Sequence, residues 1–350
     1  MAMIHLSSPH VAKANSTARV MQLVFLATLP ALLAQTLFFG WGSLIQVLLA
    51  CSLGLVFEAL SLWLRKRPII FFLKDGSALV TGILLGLALP PMAPWWVITV
   101  GMFSAIVIAK HLYGGLGNNP FNPAMIAYAL LLISFPLEMT RWNSPFVLLG
   151  EGWAVPDFAQ TLSFIFFSLE PALLDAYTGA TPLEALRNRG ALTTEEVWRQ
   201  SAVLSEGVFA WYGVSAAWLM GGIFLIYRKI ITWHVPFALL ITLFVLSGLF
   251  YAGDPSSFAD PFLHLGVGAT MMGAFFIATD PVSCATSNRG KLIFGIGLGV
   301  LIYVIRTWGN YPDAVAFAVL LMNLAAPFID QYTQPRSYGH TRARKGLKGD

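Results

Sequence analysis

Charged residues are scarce in this chain of 350 amino acids, where they make up only 11% of the sequence. A soluble globular domain usually carries about 25% charged residues. So little charge cannot cover the surface of a soluble protein of this size, and the composition excludes that class. Hydrophobic residues account for 57% of the chain, which predicts that lipid is the solvent for most of it.

Cysteine is scarcer still, since the sequence contains two. Cys51 and Cys284 fall in or beside apolar runs, and two thiols suit neither a metal cluster nor a disulfide framework. An Fe–S cluster needs a larger cysteine set, and a glycine-rich NAD fingerprint between a strand and a helix is also missing. We interpret both cysteines as small apolar residues in a helix bundle.

A strong excess of positive charge is missing as well, because the net charge is only +4. The basic residues cluster at the ends of apolar runs, which indicates membrane topology rather than nucleic-acid binding. Residues 1–20 are polar and basic, and no short apolar core with a small-residue cleavage site follows them. We therefore expect the first apolar run to be a retained membrane span.

Ten apolar runs can be read with the window of roughly 20 residues that a bilayer core requires. They predict an all-α integral membrane protein with about ten transmembrane helices. Several runs are short, and short segments interrupted by Gly or Pro often mark broken helices around a binding site. The runs cover residues 21–39, 41–64, 77–89, 95–109, 123–136, 207–227, 233–251, 261–279, 292–305 and 314–329.

Basic residues predict the orientation of these runs. With ten spans, the basic groups that follow runs two, four, six and eight and those of the two termini fall on one side, and the positive-inside rule makes that side cytoplasmic. Both termini are then cytoplasmic, and the long loop after run five lies on the outer side of the membrane, and we call it the periplasmic loop. The groups follow runs two, four, six and eight and fill the tail: Arg65, Lys66, Arg67, Lys110, Arg228, Lys229, Arg289, Lys291, Arg336, Arg342, Arg344, Lys345 and Lys348.

Short similarities divide the runs into two halves. GNNP (117–120) opens run five and GNYP (309–312) opens run ten, while LPP (89–91) closes run three and TDP (279–281) closes run eight. Five runs per half place the second half in the opposite direction, which is an inverted-topology repeat. The predicted units are an N-terminal arm (1–20), a first five-helix half (21–136), a periplasmic loop (137–206), a second five-helix half (207–330) and a basic tail (331–350).

The periplasmic loop contains the stretch DAYTGAT at 175–181, of the form D-x-x-[ST]-G-A-T. Thr181 is followed by Pro and, at the third position, by Glu184, which predicts a helix N-cap in a capping box. A second cap is predicted near Thr193. On the residues alone, a cap is the simpler interpretation of Thr181. A helix N-terminus also favours phosphate, so a phosphoester on Thr181 Oγ fits the same arrangement.

Five pieces, taken in order, carry a resemblance to a known family. They are DGSALVTG (75–82), LPP (89–91), GGLGNNPFNPA (114–124), the Thr181 motif and ATDPVS (278–283). On a ten-run chain with an external loop, they resemble the D subunit of the Rnf (or Rsx) electron transport complex. The B subunit of the Na⁺-translocating NADH:quinone reductase is more distantly similar. The resemblance covers essentially the whole chain.

The resemblance implies a membrane subunit of a redox-driven ion-translocating complex that links ferredoxin and NAD. It implies that a flavin transferase joins FMN to Thr181 in the periplasmic loop, and that riboflavin is held non-covalently near the cytoplasmic side. The chain would be active only with the other Rnf subunits, in membrane lipid. The attachment motif matches at Asp175, Thr178, Gly179, Ala180 and Thr181. The periplasmic side inferred from charge agrees with attachment outside the cytoplasm.

Polar residues in or beside the runs supply the remaining candidates. Asn119 and Asn122 could pair their amides with an isoalloxazine edge or with ribityl hydroxyls, and the alternative is a turn and helix start. Ionisable residues at membrane depth are functional candidates because leaving them in lipid is costly. Glu58, Asp75 and Asp280 are therefore candidates for an ion path, and the alternative for those at run ends is anchoring or capping.

Two further groups are expected at the membrane interface rather than at a site. Ionisable residues toward the outer side or near run ends are interpreted as anchors or caps, namely Asp260, His264, Arg306 and Asp313. Tryptophans near run ends are predicted to form the interfacial aromatic belt, namely Trp95, Trp96, Trp211, Trp233 and Trp308.

Two other functions stay open at this stage. Inverted repeats and broken helices suit a non-redox transporter or channel equally well, although a pure transporter has no use for the Thr181 motif. The complex could also reduce a redox regulator instead of building an ion gradient.

Overall fold

The computed structural model describes residues 16–149, 155–167, 176–309, 311 and 313–335, and most of these are helical. The first part of the chain forms α1 (Thr17–Phe39), α2 (Gly42–Leu64), α3 (Ile69–Leu73), α4 (Ser77–Ala88), α5 (Trp95–Phe103), π1 (Ser104–His111), α6 (Pro123–Ser134), α7 (Pro136–Thr140), β1 (Trp142–Asn143), a 3₁₀ turn (Phe146–Leu148) and α8 (Phe158–Phe167). The rest forms β2 (Thr178–Gly179), α9 (Pro182–Arg187), α10 (Thr194–Gln200), α11 (Ala202–Ser205), α12 (Val208–Tyr227), α13 (His234–Gly253), α14 (Pro261–Gly266), α15 (Thr270–Met272), π2 (Gly273–Ile277), α16 (Asn288–Trp308) and α17 (Val315–Tyr332).

Six helices of the described chain are long and apolar enough to cross a bilayer, namely α1, α2, α12, α13, α16 and α17. Shorter apolar helices lie between them, including α4, α6 and the continuous segment formed by α5 and π1. Helices satisfy every backbone group internally, which lipid requires. The prediction of an all-α multi-pass membrane protein is confirmed. The count of ten, the inverted relation of the halves and the five domain boundaries stay predictions.

Run eight is a broken helix. Its first piece, α14, ends at Gly266, and the second begins at Thr270. Between them Val267 is extended, with φ −121° and ψ 154°, and Gly268 has φ +71°, a left-handed conformation that costs glycine little. The sequence pattern pointed to shorter runs, so this break falls in a run that it did not single out. The same segment ends in π2, and run four ends in π1, so both contain wide turns of a kind often found at functional sites.

Glycines let the long helices approach closely. A Cβ at Gly86 of α4 would lie 2.9 Å from Val47 Cα of α2. One at Gly221 of α12 would overlap the Ala27 carbonyl of α1. Small residues of this kind let backbones pack against each other in lipid, where apolar side chains gain little by leaving the solvent. One hydrophobic core joins buried residues from both halves of the sequence.

Candidate functional site

The Thr181 motif is tied to the start of its own loop by a two-stranded antiparallel ladder. Gly179 of β2 pairs with Trp142 of β1, and Ser144 N donates to the Tyr177 carbonyl at 2.9 Å. A Cβ at residue 179 would lie 2.5 Å from Ser144 Oγ, so a larger residue there would require the Ser144 side chain to move. Sequence reasoning missed this ladder, because two residues per strand are too few for an alternating pattern.

Thr181 is the N-cap of α9, as predicted. Its Oγ accepts from Glu184 N at 3.3 Å, and the Glu184 carboxylate accepts from Thr181 N at 3.4 Å, which completes the capping box. Because α9 has only six residues, its dipole is small, and the expected phosphate seat at a helix N-terminus is not supported. No described residue accepts a hydrogen bond from the Thr181 hydroxyl. Esterification there would therefore break no bond in which the hydroxyl is the donor.

The other motif residues lie around this cap. Thr178 and Gly179 are half-buried and Ala180 is exposed. Asp175 lies outside the described residues. The structure thus brings four of the five motif positions together at the edge of the bundle, next to a cavity.

That cavity, of about 60 Å³, is bounded by Thr181 and Glu184 on one side and by Trp142, Trp211 and Asp313 on the other. A second cavity of about 90 Å³ shares those two tryptophans and Asp313 and reaches inward between the helices. We call the pair the aromatic cavity, and its remaining lining includes Tyr128, Gly268, Met125, Gln35, Leu87, Met272, Ile277 and Val315.

Trp211 differs from three of the predicted belt tryptophans, while Trp96 is half-buried as well. Trp95, Trp233 and Trp308 are 44%, 50% and 57% exposed. Trp211 is half-buried, and its ring lies between those of Phe39 and Trp142, with centroid distances of 4.8 and 5.6 Å. Its Nε1 is buried without a hydrogen-bond partner among the described residues. Trp211 therefore lies in the wall of the aromatic cavity, whereas the sequence predicted that it belongs to the interfacial aromatic belt.

A second pocket, of about 140 Å³, lies at the opposite end of α6 and contains both predicted amides. We call it the amide pocket. Asn122 caps α6, accepting from Ala124 N and Met125 N at 3.0 and 3.3 Å, so the alternative interpretation as a helix start is correct for it. Asn119 is 4% exposed. It donates to the Phe121 carbonyl at 2.9 Å, while its Oδ1 has no partner among the described residues.

A buried charge cluster adjoins the amide pocket. Lys110 Nζ donates to Glu58 Oε2 at 2.7 Å and to Ser77 Oγ at 2.8 Å. His111 Nε2 lies 3.1 Å from Glu58 Oε1. Lys110 and Ser77 both line the pocket. Sequence reasoning placed Lys110 at the cytoplasmic surface as a topology signal, but it is 2% exposed. A lone Glu in run two and a Lys at the end of run four were the available signal for this pair.

The other ion-path candidates are held by neighbouring serines. Asp75 Oδ1 accepts from Ser77 Oγ at 2.6 Å, so it joins the Glu58 and Lys110 cluster through that serine. Asp280 Oδ2 accepts from Ser283 Oγ at 2.8 Å, and Asp280 also lines the amide pocket. The structure therefore gathers the ion-path candidates and the amides at one end of the bundle, and Thr181 at the other.

Comparison with known proteins now identifies the family. A model of the NQR2, RnfD, RnfE family matches residues 4–339. The chain belongs to this family. It is 53% identical to the D subunit of the ion-translocating oxidoreductase complex of Marinobacter nauticus, over 351 residues covering 100% of this chain and 99% of that one. The D subunits of the same complex from Cellvibrio japonicus and Pseudomonas aeruginosa are 51% and 52% identical over 350 residues, covering 99% of this chain and 97% and 99% of theirs.

In this member of the family, a second buried charge cluster bonds to backbone groups at the break in run eight. Arg306 donates to the His264 carbonyl at 2.8 Å and to the Val267 carbonyl at 3.5 Å, and it lies 3.2 Å from Asp313 Oδ1. Asp313 Oδ2 in turn accepts from Ala269 N at 2.7 Å. A helix break leaves backbone groups without partners, which is costly in lipid. Arg306 and Asp313 were expected to be interfacial anchors, and the structure instead makes them a clamp on this backbone.

Proposed function

We propose that this chain is the membrane electron-transfer subunit of a redox-driven ion-translocating complex linking ferredoxin and NAD. In this proposal it carries FMN on Thr181 and holds riboflavin in the amide pocket. The observation that carries the proposal is the position of Thr181, which lines the aromatic cavity. FMN supplies one- and two-electron redox chemistry when bound, and the protein supplies position and electrostatics.

Residues of the aromatic cavity fit a flavin at Thr181. Trp142 and Trp211 offer flat apolar rings, which suit the isoalloxazine face. The Nε1–H of Trp211 is a donor that has no partner in the described part of the chain, and buried donors usually have partners. A flavin carbonyl or ring nitrogen is an acceptor that could satisfy it. The Thr181 hydroxyl is available for esterification because the cap uses its oxygen only as an acceptor.

Residues of the amide pocket fit a ribityl chain or an isoalloxazine edge. Asn119 presents an unpartnered Oδ1 acceptor, and Ser77, Asn122 and Asp280 line the same space. Riboflavin offers both hydroxyl and ring N–H donors. Asn122 already uses its side-chain oxygen to cap α6, so Asn119 is the stronger candidate of the two.

The two sites lie at opposite ends of α6. Asn122 caps its first turn, while Tyr128 and Leu132 farther along the helix line the cavity beside Thr181. Twelve residues of helix span about 18 Å. One compact helix thus connects the two proposed flavin sites. This arrangement supports an electron path from one end of the bundle to the other.

The same arrangement supports a coupled ion path at the amide pocket. Glu58, Asp75 and Asp280 are the carboxylates of this path, and a cation or proton near them would respond to the charge of a flavin in the pocket. We infer that partner subunits supply the NAD and Fe–S sites, and that a flavin transferase loads Thr181 from the periplasm. We infer also that the protein lies in a bacterial inner membrane. Both termini and the basic groups that follow runs two, four, six and eight are then on its cytoplasmic side.

In-gel flavin fluorescence after denaturing electrophoresis tests the proposal. Full-length chain co-expressed with its flavin transferase should give a fluorescent band, and Thr181→Val should abolish the fluorescence. Thr193→Val is the matched control, because Thr193 caps α10 in the same kind of capping box. It should leave the band bright. A dark wild-type band would favour a non-redox transporter on the same bundle. Fluorescence that survives Thr181→Val would overturn the attachment of FMN to Thr181.

A further inference from the structure

An arginine-lined pocket lies on the far side of α9 from the aromatic cavity, with a volume of about 300 Å³. Leu183 lines both spaces and separates them. Three arginines and a histidine reach this pocket: Arg187, Arg189, Arg306 and His264. Its remaining walls are Leu186, Ser257, Phe258, Ala259, Thr307 and Trp308. We call it the arginine pocket.

Among the described residues that line this pocket, positive side chains outnumber negative ones. No carboxylate is among its described lining residues. Arg306 is neutralised from behind by Asp313, at 3.2 Å. Arg189 donates one described hydrogen bond, to the Thr194 hydroxyl at 3.1 Å, and a guanidinium carries five N–H donors. The pocket therefore offers guanidinium donors to a ligand, and its described walls hold no acidic side chain that would repel an anion.

Two buried polar atoms at the pocket wall lack partners among the described residues. They are Nε of Arg306 and Nδ1 of His264. These two residues are only 8% and 7% exposed. A buried donor without a partner is destabilising, and more so when it is charged. A ligand oxygen in the pocket would remove this destabilisation at Arg306.

The rim of the pocket is aromatic and faces outward. Trp308 is 57% exposed at the end of α16, and its ring packs edge-on against Phe258, with centroids 6.4 Å apart. Tryptophans at helix ends lie at the headgroup level of a bilayer. The pocket thus combines cationic donors at its base with an apolar rim where lipid headgroups would lie.

We propose that the arginine pocket binds a phosphate group. Guanidinium groups form charge-assisted, often paired hydrogen bonds with phosphate oxygens. The phosphate belongs either to the headgroup of an anionic phospholipid or to free phosphate in solution, and the aromatic rim favours the lipid. This site is independent of flavin on Thr181, and it stands whether or not that threonine is modified.

Binding to the purified full-length chain tests this site. Delipidated chain is mixed with phosphatidylglycerol or phosphatidylcholine, and the retained lipid is counted by native mass spectrometry. Inorganic phosphate is tested in parallel by its effect on thermal unfolding and by competition with the lipid. The test variant carries Arg187→Gln and Arg189→Gln, which leaves the Arg306 clamp intact. The control is Arg199→Gln, which removes an exposed arginine of α10.

Wild-type chain and Arg199→Gln should bind the phosphate probe with the same affinity. The double variant should bind it with an affinity lower by about tenfold or more. Competition by inorganic phosphate would identify free phosphate as sufficient. Retention of phosphatidylglycerol without such competition would identify the lipid headgroup. Equal binding of both probes by wild type and the double variant overturns the proposal. If the double variant unfolds without ligand, Arg189→Gln alone gives the same comparison.

Discussion

The two ends of the bundle each bury a cation, and they stabilise it in different ways. At one end Lys110 bonds to two side chains, the carboxylate of Glu58 and the hydroxyl of Ser77. At the other end Arg306 divides its donors between Asp313 and two carbonyls of the broken run. The Lys110 cluster joins side chains to one another beside the amide pocket, while the Arg306 cluster binds backbone carbonyls at the break in run eight. We therefore expect the Lys110 cluster to tolerate changes of charge and the Arg306 clamp to be required for the fold.

The largest effect is expected from Arg306→Gln. This change leaves the half-buried Asp313 without its cation. The two carbonyls of the break lose the Arg306 donors and, among the described residues, keep only the Thr270 hydroxyl. Removing one partner of a buried pair typically costs about 3–5 kcal/mol. We expect loss of monodisperse protein in detergent size-exclusion chromatography and a large fall in melting temperature. Arg199→Gln, in an exposed pair, should change the melting temperature little. A stable Arg306→Gln chain would contradict the clamp.

A smaller effect is expected from Lys110→Met, because Glu58 keeps His111 at 3.1 Å. We expect a loss of about 2–3 kcal/mol, near the lower part of the range for a broken buried pair. The double variant Glu58→Gln, Lys110→Met removes both charges and should regain part of that loss. Thermal unfolding of the four proteins forms a double-mutant cycle. Additive effects in this cycle would show that the two side chains do not stabilise each other.

These two clusters also mark where sequence reasoning succeeded and where it stopped. Low charge and apolar runs were enough to predict the helical membrane class, since lipid permits few alternatives. The cap at Thr181 was predicted correctly, and the cap at Asn122 matches the alternative interpretation of that residue, because capping depends on neighbouring residues alone. Arg306 and Lys110 were placed at surfaces, since their partners lie in other segments of the chain. Trp211 was misplaced for the same reason.

The next largest effect is expected on the amount of bound riboflavin rather than on the stability of the protein. Asn119→Leu removes the unpartnered Oδ1 from the amide pocket. Non-covalent flavin extracted with acid from the purified chain should fall about tenfold, as for the loss of one good buried hydrogen bond. Covalent fluorescence at Thr181 should not change, because that site lies at the other end of α6. Asn118→Ala, at the exposed neighbouring position, is the control. Unchanged acid-extractable flavin in Asn119→Leu would remove Asn119 from the proposed riboflavin site.

The smallest effect is a pH response of the second capping box, which serves as the reference for the cap at Thr181. Glu196 accepts from Thr193 N and Oγ at 2.8 and 2.9 Å, and these bonds, the backbone one most, hold the pKa of its carboxyl below its usual range. Because the pKa of Glu196 is lowered in the folded state, its carboxylate stabilises α10 at every pH above the ordinary carboxyl pKa. This stabilisation is lost as the pH falls through the pKa of the folded state.

Amide hydrogen exchange of α10 in the full chain measures this stabilisation. Relative to Glu196→Gln at the same pH, wild type should be better protected at neutral pH and lose that advantage in acid. Glu195→Gln on the same helix should behave as wild type. A constant difference across the pH range would mean that the capping box stabilises α10 through geometry alone, without help from the carboxylate charge.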